Sequence, residues 1–569
     1  MTAGASAAML GRVEAKEDVR PRRKLPLLSV DALLSEQQTL TAVERFSSLH
    51  DAGEVPEKHK IYSELLPLSK PGVGQQYAFE VDLDACTGCK ACVAGCHTMN
   101  GLDEGETWRG VGLLSGGTAE TPAARLVTSS CHHCVEPACM AGCPVQAYEK
   151  DPITGIVKHL DDQCFGCQYC TLMCPYDAPK YNKRLGIVRK CDMCSSRLEN
   201  SEAPACVEAC PNGAIAIRVV DQQAVIQASE AQSFLPSTPS PENTLPTTRY
   251  KTSKALPANM LAADFYAVKT EHSHPALVVM LTLTQLSVGA FVLGFGLEKL
   301  TGRALGSPLA QAALACFLAV LALGASVFHL GRPWLFYRAV LGLRTSWLSR
   351  EALCFGLFAK FAILHGLLLA LPNLAQLPLP SALWIENAAR ISRVGAALFG
   401  TLGVFSSVMV YVATKRAQWQ AEETGIRFFG SMLLLGPAAV LAASAAPSET
   451  PLAMQDVRAL LGLIVGTTLV KLALEAQILA HVRDRRQSVK KRQALLLLGP
   501  LRTATGWRFG AALVWGVVFP SMWLLLGTAT WPVGVVGPLL LLGLLVGEFA
   551  ERYLFFCAAP ASQMPGALP

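Results

Sequence analysis

Long, uninterrupted runs of apolar residues dominate the second half of the chain. Eight such runs lie at about 276–297, 308–328, 351–371, 391–413, 428–445, 457–480, 508–528 and 532–556. Each approaches or exceeds the ~20 residues that a helix needs to cross the hydrocarbon core of a bilayer. Buried helices of a soluble protein are the alternative, but eight runs separated by short basic loops are typical of membrane spans. The pattern predicts an all-α bundle of eight transmembrane helices.

The first half has a different pattern, with short runs in which apolar and polar residues alternate. Residues 77–81 and 214–219 follow this alternation and predict β-strands. Residues 1–75 are polar and predict a helix near 30–46. Residues 233–248 are rich in proline, serine and threonine, which predicts an extended linker between the two halves.

These patterns divide the chain into five predicted segments. They are a polar N-terminal extension (1–75), a cysteine-rich α+β domain (76–220), a linker (221–272), a membrane domain (273–558) and a C-terminal tail (559–569). In the extension, Arg22 and Arg23 precede a short apolar stretch that is typical of twin-arginine export signals. Asp31 interrupts that stretch and no small-residue cleavage site follows, which favours an extension that docks a partner.

Composition and charge agree with a membrane protein. The chain has 569 residues, of which 51% are hydrophobic and only 16% charged, where about a quarter is usual for soluble proteins. Basic residues concentrate in the loops on one side of the spans, at Arg332, Arg338, Arg344, Arg350, Lys415, Arg416, Arg483, Arg485, Arg486, Lys490, Lys491, Arg492 and Arg502. The opposite loops carry Lys299, Arg303, Arg390 and Arg458. The net charge of +6 therefore reflects membrane orientation rather than nucleic-acid binding, and predicts a bacterial inner-membrane protein whose cysteine-rich domain faces the cytoplasm.

Sixteen of the nineteen cysteines form four groups of four in the first half. The groups are Cys86, Cys89, Cys92 and Cys96; Cys131, Cys134, Cys139 and Cys143; Cys164, Cys167, Cys170 and Cys174; and Cys191, Cys194, Cys206 and Cys210. Closely spaced thiolates on one tight loop can grip several corners of a cuboidal iron–sulfur cluster. The last cysteine of such a group usually binds the neighbouring cluster.

Three alternatives compete with iron–sulfur ligation. Disulfides require an oxidising compartment, and the chain shows no cleavable secretory signal. Structural zinc prefers two well-separated two-cysteine knuckles, whereas these loops carry a third cysteine. A degenerate cluster site would lack a cysteine, and no group does. The spacing predicts four 4Fe–4S clusters with all sixteen cysteines as ligands, held in two ferredoxin-like units.

The cysteine-rich domain resembles the four-cluster electron-transfer subunit of dimethyl sulfoxide (DMSO) reductase-type molybdoenzymes. The resemblance covers about 75–220 and rests on YAFEVDLDACTGCKACVAGCH, CHHCVEPACMAGCPVQAY, DQCFGCQYCTLMCPYDAPKYN and KCDMC. The membrane half resembles the eight-helix anchor subunit of the same complexes, through the apolar pattern and the segments FHLGRP (328–333) and WLSRE (347–351). These are usually two polypeptides, so the chain resembles a fusion of both.

The resemblance implies which cysteines share a cluster. It pairs the first group with the fourth and the second with the third. The implied sets are Cys86, Cys89, Cys92 and Cys210; Cys96, Cys191, Cys194 and Cys206; Cys131, Cys134, Cys139 and Cys174; and Cys143, Cys164, Cys167 and Cys170. It also implies a large catalytic subunit that carries a molybdopterin-guanine-dinucleotide cofactor. Nothing of that type is present in this chain, so this subunit would be a separate polypeptide.

Ionisable residues near the cluster side of the spans are candidates for contact with a quinone. His329 ends the second apolar run and Glu351 begins the third, and the resemblance implies a menaquinol site for both. Lys471 with Glu475, and Glu548 with Arg552, are each four residues apart and predict structural ion pairs between helices. We expect no haem, because only His365 lies well inside a span.

These features predict a subunit that links the menaquinone or ubiquinone pool, through four clusters, to the separate molybdenum subunit in anaerobic respiration. It would transfer electrons without performing the substrate chemistry itself. Two alternatives remain open. The same architecture can run in reverse and deliver electrons from sulfite or another sulfur compound to quinone, or the membrane half can act as a redox-driven ion pump.

Overall fold

The computed structural model describes residue 35 and residues 64–302, 307–374, 382–447, 452–485, 488–526, 532–560 and 564–566. The predicted helix near 30–46 and the twin arginines lie essentially outside the described residues. Residues 64–569 form one compact unit, which contains both the cysteine-rich domain and the membrane domain.

The cysteine-rich domain is built around a three-stranded sheet. Strand β1 (Gln75–Asp82) pairs antiparallel with β8 (Ile215–Asp221), with Phe79 opposite Ile217, so both predicted strands are confirmed. A second sheet pairs β2 (Gly110–Gly117) with β3 (Pro122–Ser129). The remaining hairpins and short helices are β4 (Tyr148–Lys150), β5 (Val157–His159), β6 (Lys180–Asn182), β7 (Ile187–Arg189), α1 (Ala91–Met99), α2 (Ala138–Ala141), α3 (Tyr169–Met173), α4 (Ser195–Glu199) and α5 (Ala205–Glu208).

Two of the cysteine loops repeat the same backbone conformation. Gly88 and Gly166 have φ of 70° and 74°, and Lys90 and Gln168, two residues later, both have φ of 61°. These left-handed positions turn the chain tightly enough for a short helix to begin directly afterwards. The repeat that is visible in the cysteine spacing is therefore also a repeat of backbone geometry, as a ferredoxin-like fold requires.

The segment after β8 packs along the cysteine-rich domain. It forms helix α6 (Gln222–Glu230), then strand β9 (Arg249–Lys251), which pairs parallel with β1, and β10 (Leu261–Ala262), which pairs with β2. A linker of 221–272 stays a prediction, but much of this segment has defined structure. Its sequence did not reveal these pairings, because the strands are only two or three residues long.

The membrane domain consists of α7 (Pro275–Thr301), α8 (Pro308–Val327), α9 (Trp347–Leu374), α10 (Ala382–Val412), α11 (Ala421–Ala443), α12 (Met454–Ala480), α13 (Val489–Leu498), α14 (Arg502–Ala511), α15 (Phe519–Leu526) and α16 (Val533–Cys557). A π-helical segment, Ala512–Val518, joins α14 to α15 into one span. The described residues contain eight helices long and apolar enough to cross a bilayer, which confirms the predicted eight-span bundle.

Small residues allow the central helices to approach closely. A Cβ atom on Gly289 of α7 would lie 2.3 Å from the carbonyl oxygen of Met432 on α11. A Cβ on Gly537 of α16 would lie 2.4 Å from the carbonyl oxygen of Leu441 on α11. Close backbone contact of this kind stabilises helix pairs in lipid, where burial of apolar surface contributes little.

Candidate cluster sites and their junction with the membrane helices

Two cavities in the cysteine-rich domain are each lined by four cysteines. One is lined by Cys131, Cys134, Cys139 and Cys174, which we call the third set. The other is lined by Cys86, Cys89, Cys92 and Cys210, which we call the outer set. Each cavity combines thiols from two different groups in the sequence, in the combinations that the resemblance implies.

The other eight ligand candidates also fall into two neighbourhoods. The thiol of Cys96 lies within electrostatic range of Cys194 and Cys206, and that of Cys191 within range of Cys96. We call Cys96, Cys191, Cys194 and Cys206 the second set. The thiol of Cys170 lies within range of Cys143, Cys164 and Cys167, and these four form the inner set. The structure thus brings all sixteen cysteines into four neighbourhoods, while their role as ligands stays a prediction.

No thiol set among the described residues is arranged as the site of a single metal ion. Four thiolates on one zinc ion lie within ~4 Å of one another, because each Zn–S bond is ~2.3 Å long. In the described residues, no three histidine, cysteine or acidic side chains converge closely enough to hold one metal ion. Thiols that each bind a different iron are farther apart. This geometry disfavours the zinc alternative.

Polar atoms around the thiols also fit iron–sulfur clusters. The backbone N–H of Ala147 donates to Cys143 Sγ at 3.2 Å, and that of Ala214 donates to Cys210 Sγ at 3.3 Å. His132 and His133 line the cavity of the third set, and each Nε2 is buried without a partner among the described residues. His133 Nδ1 accepts the N–H of Val157, so its Nε2 carries the proton and is free to donate to a cluster sulfur.

Burial keeps several of these thiols protonated in the polypeptide alone. It raises the pKa of Cys96 to about 12, with the neighbouring Cys206 adding to the effect, and raises the pKa of Cys174 to about 11. Bound metal reverses this tendency, because a coordinating thiol loses its proton. The residues therefore fit iron–sulfur clusters, which would accept and pass on single electrons when bound.

The cysteine loops are joined to the membrane domain through the segment between α8 and α9. The N–H groups of Gly331 and Arg332 donate to the carbonyls of Gly166 and Phe165, at 3.4 and 3.0 Å. Farther along, Ser346 Oγ donates to the carbonyl of Gly142 at 2.7 Å. The segment FHLGRP (328–333) and Ser346, which directly precedes WLSRE (347–351), therefore contact the loops of the inner set.

Glycines make this junction tight. A Cβ atom on Gly331 would lie 2.1 Å from the carbonyl oxygen of Gly186. A Cβ on Gly166 would lie 2.2 Å from the same oxygen and 3.0 Å from Gly331. Three backbone segments meet here at a distance that no larger residue permits.

Tyr169 connects the inner set to the helices and was not predicted. It lies in α3 between Cys167 and Cys170, is buried in the core of the bundle, and donates its hydroxyl to the carbonyl of Val410 on α10 at 2.8 Å. Burial raises its pKa, with a smaller contribution from nearby Glu351, so the phenol keeps its proton. An aromatic residue between two ligand cysteines is the signal that sequence reasoning overlooked.

The two predicted quinol residues both lie at the cluster end of the bundle. Glu351 is buried on α9 and accepts the hydroxyl of Ser407 from α10. His329 follows α8, and its Nδ1 hydrogen-bonds the carbonyl of Ser326. Burial lowers the pKa of His329 to about 4, so its imidazole is neutral at pH 7. No contact joins His329 directly to Glu351 among the described residues.

The charged residues of the later spans form one buried network. Its seven members are Arg427, Lys471, Glu475, Arg508, Glu548, Glu551 and Arg552. Glu548 of α16 pairs with Lys471 of α12 and, at 2.7 Å, with Arg508 of α14. Ion pairs between helices are therefore present, but with other partners than predicted: Lys471 and Glu475 pair with residues of other helices, and Arg552 pairs with its neighbour Glu551, at 3.4 Å, rather than with Glu548. Arg508 pairs with Glu475 at 2.9 Å.

Comparison with known proteins identifies both halves. Residues 123–220 match the model of a 4Fe-4S dicluster domain, and residues 269–557, just over half of the chain, match that of the DMSO reductase anchor subunit (DmsC). The B subunit of the anaerobic dimethyl sulfoxide reductase of Haemophilus influenzae is 36% identical over 157 residues, which are 26% of this chain and 76% of that protein.

Two further relatives match the same half of the chain. The corresponding B subunit of Escherichia coli (strain K12) is 36% identical over 155 residues, 26% of this chain and 75% of that protein. The hydrogenase-2 operon protein HybA of Escherichia coli O157:H7 is 36% identical over 189 residues. That match covers 29% of this chain and only 56% of HybA.

Proposed function

This protein belongs to the DMSO reductase anchor subunit (DmsC) family and carries an iron–sulfur electron-transfer module on the same polypeptide; from this premise we propose that it conducts electrons between a membrane quinone and a separate molybdopterin catalytic subunit. One observation carries this proposal. Tyr169, which lies between two cysteines of the inner set, is buried against α10 within electrostatic range of Glu351.

Quinol oxidation releases two protons and two electrons, and the proposed site has groups for both. His329 Nδ1 donates to a carbonyl, so the neutral ring presents an unprotonated Nε2 that can accept a proton. The carboxylate of Glu351 can accept the other proton and is held by Ser407. The inner set supplies the nearest ligands for an electron acceptor, since Cys167 packs against the core of the bundle.

The thiol sets suggest a linear route away from the membrane. Tyr148 lies within electrostatic range of Cys170 in the inner set and Cys139 in the third set. Cys191 of the second set lies near Cys131 of the third, and Cys206 of the second set near Cys92 of the outer set. We therefore assign the order inner, third, second, outer, with the catalytic subunit bound beyond the outer set.

Substitution of the two quinol residues tests this proposal. We expect Glu351→Gln and His329→Asn to slow quinol-linked reduction of the clusters by more than tenfold, with iron content and reduction by dithionite unchanged. Glu386→Gln is the matched control, because Glu386 is exposed near the opposite end of α10. Unchanged quinol-linked turnover in both variants would reject the site.

The proposal also covers the direction of electron flow and the side of the membrane on which the cysteine-rich domain lies. A domain that faces the cytoplasm, as the basic loops favour, would suit a complex that oxidises a sulfur compound and reduces quinone. Purification of the native complex, followed by identification of the large subunit and its substrate, decides the direction. A reporter fused at Lys490 decides the side of the membrane, and an external signal would contradict a cytoplasmic domain.

The buried charge network makes ion pumping a second candidate, because charged residues inside a membrane bundle are rare and commonly mark ion or proton pathways. Translocation by sealed vesicles of more protons than the two that each quinol itself releases would support it. An electroneutral reaction would remove it and leave a structural role for the network.

A further inference from the structure

Two cations are buried inside the cysteine-rich domain and form no ion pair with an acidic side chain in the part of the chain that the structure describes. Arg109 is 2% exposed and Lys190 is 3% exposed. Arg109 donates to Thr128 Oγ1 at 3.3 Å and to Ser130 Oγ at 2.8 Å. Its guanidinium also lies over the ring of Phe79, 4.6 Å from the centroid. These partners are all neutral.

Lys190 is held in the same way. Its Nζ donates to the carbonyl of Cys191 at 2.9 Å and to that of Val157. No carboxylate of the described residues forms an ion pair with either Arg109 or Lys190, although other arginines of the domain have one. Asp192 lies within electrostatic range of Lys190, but it does not pair with it.

A buried cation without a paired counter-charge is strongly unfavourable, because the protein interior does not replace the lost hydration. An arginine cannot escape this cost by losing its proton. The negative charge that balances Arg109, and that of Lys190 in its protonated form, must therefore come mostly from something other than a carboxylate of the described residues.

Both cations lie beside the thiol sets. Lys190 lines the cavity of the third set, and Thr128, which accepts a hydrogen bond from Arg109, lines the cavity of the outer set. Arg109 lies within electrostatic range of Cys92 in the outer set and of Cys96 and Cys206 in the second set. Lys190 lies within range of Cys131 and Cys139 in the third set and of Cys191 in the second set. Each cation thus stands between two successive sets of the proposed route.

We propose that Arg109 and Lys190 are built-in counter-ions that raise the reduction potentials of the clusters on either side of them. Reduction adds one negative charge to a cluster, and a fixed cation nearby stabilises that charge more strongly in the interior than in water. Because each cation is shared by two sets, it raises both potentials together and keeps the step between them small. This inference rests on the ligand sets of the proposed function.

The test is a redox titration of the whole membrane complex, followed by electron paramagnetic resonance. In Arg109→Gln, which keeps hydrogen-bonding atoms but removes the charge, we expect the two potentials assigned to the outer and second sets to become more negative. In Lys190→Gln we expect the same shift for the second and third sets. Arg184→Gln is the control, because that side chain is exposed and its charge is screened.

Two results would overturn the proposal. One is a fully loaded Arg109→Gln complex with four unchanged potentials. The other applies if Arg109→Gln loses iron, in which case Arg109→Lys is measured. Full iron with near-native potentials in Arg109→Lys supports the role of the charge, whereas iron loss in this variant too would show that the shape of the arginine side chain, and not its charge, is required. Mediators and dithionite set the potential in this titration, so it does not depend on quinol. Unchanged quinol-linked turnover in Glu351→Gln and His329→Asn would therefore reject the quinol site without affecting the measured potentials.

Discussion

At the scale of single residues, Tyr169 is the side chain that links the two halves of the molecule. It belongs to a cysteine loop by sequence and to the membrane core by burial. Its hydroxyl hydrogen bond to Val410 fixes how the inner set faces α10. On the proposed route, a residue that ties a cysteine loop to a helix in this way sets the distance that an electron crosses.

We therefore expect Tyr169→Phe to weaken the junction by about 1 kcal/mol, the usual contribution of one buried hydrogen bond. The ring remains in place, so iron content should be unchanged while quinol-linked reduction of the clusters slows. Stopped-flow reduction by a quinol analogue, compared with reduction by dithionite, separates the two effects. Tyr181→Phe, in β6, is the control. A native quinol rate in Tyr169→Phe would show that the hydroxyl has no positioning role.

At the scale of secondary-structure elements, the segment between α8 and α9 acts as a clamp for the loops of the inner set. Gly331, Arg332 and Ser346 all donate to carbonyls of those loops. The three glycines at positions 166, 186 and 331 make the approach possible. The FHLGRP segment is therefore a docking element as well as the place where His329 lies.

We expect Gly331→Ala to disturb this clamp, because its Cβ would overlap the carbonyl oxygen of Gly186. Overpacking of this kind costs about 1–3 kcal/mol. Thermal unfolding of the solubilised complex should occur at a lower temperature, and quinol-linked reduction should slow. Gly324→Ala on α8 is the matched control, since nothing lies within 4 Å of its Cβ position. Equal melting of the two variants would contradict the clamp.

The elements themselves could be predicted from sequence, but their contacts could not. Apolar run length located all eight spans, although three of the helices begin six to nine residues before the apolar run does, and alternation located β1 and β8. The partners of Lys471 and Glu475 were different, because spacing along one helix does not show which helix packs against it. The docking of Gly331 on Gly166 joins residues far apart in sequence and left no local signal.

At the scale of the whole molecule, hydrogen bonds as well as the polypeptide chain hold the cysteine-rich domain and the membrane domain together. The two domains are joined by the chain near residues 263–274 and also by the clamp. Arg416, after α10, adds two hydrogen bonds to the carbonyls of Thr171 and Leu172, both at 3.1 Å. Near the C-terminus, the N–H of Gly566 donates to Asp264 at 3.2 Å. These contacts are those expected of two subunits that would bind each other as separate polypeptides.

A protease site inserted at the exposed residues 268–270 tests whether the contacts suffice. After cleavage we expect the cluster domain to remain with the membrane domain in gel filtration, with quinol-linked reduction preserved, because the clamp is unbroken. The same cleavage in a Gly331→Ala background should release more of the domain, because the junction is weaker there and the peptide link that kept the two domains together has been cut. Release from the otherwise native protein would mean that the fusion holds the electron route together and that the clamp only orients it.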